Sequence, residues 1–152
     1  MIRVLVPIEA FVNLTLAATY FALEFAKRHP AKVYFLILAA AGDEAAAEPA
    51  GAGRLQERAL FRQVLERAGQ QQVDVEVQYS QEDYLSAVRR VVAQQGIDDI
   101  VIALPPLTDA GYPQMHRRLE QLRHQVPCHI ITVKPKEVGA AGMAKQATKT
   151  PD

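Results

Sequence analysis

Five short strand-like runs alternate with helical stretches along almost the whole chain, and this alternation limits the fold more than any single motif. The runs are Ile2–Ile8, Lys32–Ala39, Val73–Tyr79, Ile100–Leu104 and Cys128–Val133. Ile2–Ile8, Lys32–Ala39 and Ile100–Leu104 are apolar at nearly every position, as strands covered on both faces require. Val73–Tyr79 (VDVEVQY) instead alternates apolar and polar residues, which predicts a half-exposed strand at a sheet edge.

The intervening segments carry the helical period. Leu14 to Arg28 presents Leu14, Ala17, Ala18, Phe21, Ala22, Phe25 and Ala26, with Asn13 as its expected cap and Pro30 beyond its end. A second helix is expected from Arg54 to Ala68, turning Leu55, Ala59, Val64 and Leu65 inward and stopping at Gly69. Ser80 and Asp83 have capping-box spacing for a third, whose stripe is Tyr84, Leu85, Val88, Val91 and Val92 and whose stop is Gly96. The fourth, Gln114 to Gln125, presents Met115, Leu119 and Leu122. The order β-α-β-α-β-α-β-α-β, with right-handed crossovers, predicts a three-layer α/β fold around an open five-stranded parallel sheet with about four helices.

Residues 1–135 are expected to form one domain. The stretch Ala40 to Gly53 is short of large apolar groups and is expected to be a mobile linker, and residues 136–152 a disordered tail. Seventeen basic residues balance seventeen acidic ones, which favours neither nucleic acid nor an anionic membrane as partner. The lone Cys128 excludes an internal disulfide. No leader-like segment opens the chain and no apolar run reaches the ~18 residues that span a bilayer, so a cytoplasmic protein is expected.

Metal and nucleophile chemistry find no support. His116 and His124 lie about 12 Å apart along one helix, too far for two ligands of one metal. Cys128 and His129 are strand neighbours that point to opposite faces, so they are not a nucleophile–base pair. No Walker loop, Gly-x-Ser-x-Gly or metalloprotease motif is present. An enzyme is not expected.

The segment VRRVVAQQGIDDIVIALPP, followed by a loop and RRLEQLRHQVPCHIITVKP, resembles the second half of the universal stress protein (UspA-like) domain, and the opening RVLVPIE is similar to its first strand. The resemblance covers Met1 to about Lys134. It implies a Rossmann-like, adenine nucleotide alpha hydrolase-like sheet of order 3-2-1-4-5, a role in stress response, and a homodimer joined through the last strand by Cys128, Ile130, Ile131 and Val133. ATP-binding members carry Gly, two residues, Gly, nine residues, Gly and Ser or Thr after the fourth strand. Here the same frame holds Leu104-Pro105-Pro106-Leu107, nine residues from Thr108 to His116, then Arg117-Arg118. Two prolines remove amide donors where glycines would let the backbone close on phosphate, so the chain resembles the glycine-loop-less, non-ATP-binding branch.

In such sheets ligands lie beyond the carboxyl ends of the strands, where the strand order reverses. The pocket expected there takes Pro7 and Glu9 from the first strand's exit, Leu38, Leu104, and Arg117 and Arg118 from the following helix. The first expectation is a non-catalytic binding or regulatory module without a cofactor. The alternative is a sensor of ATP, AMP or another anion, in which guanidinium groups replace the lost amides. A weaker alternative is a transporter-associated partner of an unidentified protein. Two arginines on an amphipathic helix otherwise read as a solvated face.

Overall fold

The computed structural model describes residues 1–9, 13–38 and 51–134. The elements run β1 (Ile2–Ile8), α1 (Asn13–Arg28), β2 (Ala31–Leu38), α2 (Gly51–Gln70), β3 (Asp74–Ser80), α3 (Tyr84–Gln95), β4 (Asp99–Ala103), α4 (Tyr112–Gln125) and β5 (His129–Val133). All strand pairs are parallel, in the order β3-β2-β1-β4-β5. This is the expected sheet.

Successive side chains on a strand point to opposite faces. Val4, Val6 and Ile8 of β1 therefore pack with Val33 and Phe35 of β2 under α1 and α2. Leu5 faces the other way, with Tyr34, Leu36, Ile100 and Ile102, under Val88, Val91, Leu119 and Leu122 of α3 and α4. Apolar residues at both parities are what a sheet covered on both faces needs. β3 lies at one edge: Val75 and Val77 join the first layer, while Glu76 forms an ion pair with Lys32 at 3.0 Å. β5 is the other edge.

Several local expectations shift. On α1 the sheet-facing line is Ala18, Thr19, Ala22 and Leu23, which leaves Phe21 37% exposed. Thr19 can be buried because its hydroxyl donates to the Leu16 carbonyl at 2.8 Å. On α2, Val64 and Ala68 are buried and Ala59 is exposed. α2 starts at Gly51 and runs past Gly69, and the left-handed residue that closes it is Gln72 (φ 59°), with the Val73 N–H donating to Ala68. Asp83, not Ser80, caps α3, accepting from the Ser86 N–H at 3.1 Å. Ser80 is the last residue of β3, where its hydroxyl accepts from the Glu82 N–H at 3.0 Å. The Asn13 side chain expected as a cap, residues 40–50 of the linker expected over 40–53, and the tail over 136–152 lie outside what is described, while residues 51–53 of that linker are the start of α2.

Gly96 does end α3, as expected. It has φ 65° and ψ 50°, and its N–H donates to Val92 at 3.0 Å. A Cβ there would meet only the Arg3 side chain at 3.5 Å, so the obstacle is conformational, not steric crowding. Gly96→Ala is expected to cost about 1–2 kcal/mol, a fall of roughly 2–8 °C in Tm. An unchanged melting curve would show that the turn relaxes without strain.

Candidate functional site

In a sheet of this order the place for a ligand is the carboxyl end between β1 and β4, where the strand order reverses. Their ladder holds only Val4↔Asp99 and Leu5↔Ile100, whereas β1 pairs with β2 along its full length to Ile8↔Ile37. Pro7, half-buried, has no N–H to extend a ladder. Beyond Leu5, β1 leads towards α1 on one face and β4 towards α4 on the other. Leu38 ends β2 and Leu104 follows β4, and both are buried in the layer beneath α3 and α4. The Leu104 N–H donates to the Val133 carbonyl at 2.9 Å, tying the loop's start to β5.

The β4–α4 loop is closed on itself. Pro105 is buried and Pro106 exposed. The Asp109 N–H donates to the Pro106 carbonyl at 2.9 Å, and the Asp109 carboxylate accepts from the Gly111 N–H at 2.7 Å. That turn lets α4 begin at Tyr112, with proline in its first turn, two residues earlier than expected. Arg117 and Arg118 consequently lie in the second turn instead of at the helix start, which corrects the sequence expectation.

The two arginines part company. Arg117 is exposed and makes no hydrogen bond or ion pair among the described residues. Arg118 reaches across the crevice and grips Glu9 with both nitrogens of its fork, Nη2 to Oε1 at 2.7 Å and Nη1 to Oε2 at 3.0 Å. Its guanidinium carbon lies 3.8 Å from the centroid of the Tyr84 ring, at the start of α3. One side chain thus joins the exit of β1 and the first turn of α3 to α4. Burial pushes the Tyr84 phenol well above its usual range, opposed by the charge of Arg118 and aided by that of Glu9, so the ring stays neutral.

Of the residues expected at the site, Glu9 and Arg118 are in direct contact, and Leu38 and Leu104 share the apolar layer below. Tyr84 was legible only as part of a helical stripe, because nothing local marks it as the platform for an arginine 34 positions further on. An open groove of about 710 Å³ lies elsewhere, lined by Arg89, Arg90, Ile97, Asp98 and Pro127 before the start of β4. Arg90 is engaged by Glu82 at 2.7 Å. Among the described residues, no three of His, Cys, Asp and Glu gather as metal ligands.

On the expected dimer strand, β5 begins at His129, one residue later than expected. Cys128 and Ile130 pack towards the α3–α4 layer, and Ile131 and Val133 towards the α1–α2 layer. Cys128 is half-buried, and burial pushes its thiol up, away from thiolate reactivity. His129 is exposed, on the opposite face from Cys128. No helix among the described residues is long and apolar enough to cross a membrane.

No family model matches the sequence, and no curated protein sequence matches it. Solved structures do. The universal stress protein UspA from Lactobacillus plantarum is 19% identical, with a TM-score of 0.65 over 87% of this chain and 97% of that one. A protein of the universal stress protein family from Burkholderia pseudomallei is 18% identical, with a TM-score of 0.61 over 86% and 94%. A universal stress protein family protein from Arabidopsis thaliana, solved with AMP bound, is 14% identical, with a TM-score of 0.58 over 95% and 99%. With nearly the whole of those chains matched and the strand order 3-2-1-4-5 in place, this protein has the universal stress protein fold.

Proposed function

We propose that the chain is a universal-stress-protein-like regulatory module, non-catalytic and cytoplasmic, that acts as a homodimer in stress response or through protein partners, and does not bind ATP by a glycine loop. The observation that carries this reading is the Glu9–Arg118 pair. The two groups that a nucleotide pocket would turn towards its ligand, Glu9 to the sugar or base and Arg118 to phosphate, are turned towards each other, at 2.7 and 3.0 Å. The loop beside them offers Pro105 and Pro106, which have no N–H to give a phosphate. The dimer is supported by β5, an edge strand whose partly buried Ile130, Ile131 and Val133 invite pairing with a second copy about a twofold axis.

Thermal melting with millimolar ATP, AMP and cyclic AMP tests the reading. A ligand at 100-fold its Kd would stabilise the fold by about 2.7 kcal/mol, several degrees for a chain of this size. The expected result is a shift of less than about 1 °C with each nucleotide, within ordinary salt effects. A rise of several degrees that disappears in Arg118→Ala would make the protein a nucleotide sensor, with the guanidinium in place of the glycine loop.

A further inference from the structure

Arg118 has the attributes of an oxyanion site that is already filled. Its fork takes both oxygens of a carboxylate, and its plane rests on the Tyr84 ring at 3.8 Å. Its side chain is only 24% exposed, whereas that of Glu9 is 49% exposed. A guanidinium held flat against an aromatic ring suits phosphate as well as carboxylate, because both present two oxygens at the spacing of the fork. The unequal exposure says which partner can leave. Glu9 stands half in water just beyond a strand end, while Arg118 is backed by the partly buried Tyr84 ring and anchored on a helix.

We propose that Arg118 is the oxyanion-binding site of the crevice, that the phosphate or carboxylate group of a small ligand is its occupant, and that Glu9 is an intramolecular competitor that keeps the site closed. This rests on the reading above, that the crevice has lost the backbone cradle, and names what controls it instead. Removing Glu9 leaves a partly buried cation without its counter-charge, which an external anion restores. Exchange of one oxyanion for another leaves Arg118 paired while it releases Glu9. It also unties the exit of β1 from α4, since the Glu9 carboxylate is what Arg118 holds there.

The test compares melting of wild type, Glu9→Gln and Glu9→Ala in inorganic phosphate, with acetate and chloride at matched ionic strength. Both variants are expected to gain about 2–5 °C more than wild type at roughly 50 mM phosphate. The double variant Glu9→Ala, Arg118→Gln should lose that excess. An excess with acetate but not phosphate would assign the site to carboxylates, and one with phosphate alone to phosphate groups. Equal shifts in wild type and both single variants would overturn the proposal, since only general salt stabilisation would remain. Should a variant fold poorly, the Arg118 Nε–H resonance serves instead. It is expected to move with phosphate in Glu9→Gln and stay fixed in wild type, and a fixed resonance in both would equally overturn it. No nucleotide is used, so a nucleotide response in wild type would defeat the reading above while leaving this comparison intact.

Discussion

Phe35→Ala is expected to destabilise the protein by about 3–5 kcal/mol, enough to leave a marginally stable domain partly unfolded at ambient temperature. Phe35 is fully buried in β2, which has strands on both sides, with Val6 of β1 and Val77 of β3 as its registered neighbours. Its ring meets Phe61 of α2 edge-on, with centroids 5.8 Å apart. Truncation removes the apolar surface and the edge-to-face pair together. The hole cannot close, because strands fixed by two ladders cannot move inwards and Phe61 belongs to a helix held by Val64 and Ala68. Urea unfolding should show a lower midpoint with an unchanged slope. Phe35→Leu, which keeps most of the volume, should cost less than half as much. A loss below about 1 kcal/mol for the alanine variant would show that α2 is not docked on the sheet through this pair.

If the proposed dimer forms through β5, Ile131→Glu is expected to convert it to monomer or to insoluble protein. Ile131 pairs with Val101 inside the chain and stands on the edge strand, partly buried against the α1–α2 layer. A twofold interface repeats every substitution, so two new carboxylates would enter one seam, each losing water and facing its like. A strand left with its edge bare can also pair with the wrong partner, which accounts for the insoluble outcome. Light scattering reports the mass, and far-ultraviolet circular dichroism shows whether the monomer is folded. A dimer of unchanged mass would rule out β5 as the interface.

The repeating strand and helix periods, the polar alternation of β3 and the stop at Gly96 were legible because each depends on neighbours within a few residues. Burial on both faces of β1 and β2 follows from apolar residues at both parities, and it fixed the layered class before any contact was known. Helix phase and ends were less legible. Ala22 and Val64 are buried as expected, but helix docking adds Leu23 on α1 and Ala68 on α2 to the buried line and leaves Phe21 and Ala59, expected inward, exposed. Ser80 and Asp83 exchanged roles because both can cap, and local spacing does not say which residue's amides are free.

The site shows the division most sharply. The sequence alone determined that Pro105 and Pro106 replace amide donors, since proline lacks its N–H in any conformation. It also placed Glu9, Arg117 and Arg118 near the carboxyl ends of the strands. It could not separate the two arginines, which are adjacent and chemically identical. Only the tertiary structure turns Arg118 inwards onto Tyr84 and across to Glu9, 109 positions away, and leaves Arg117 in solvent. The physical reason is that successive residues on a helix point about 100° apart, so the direction of each is settled by what α4 packs against, not by the letters beside it.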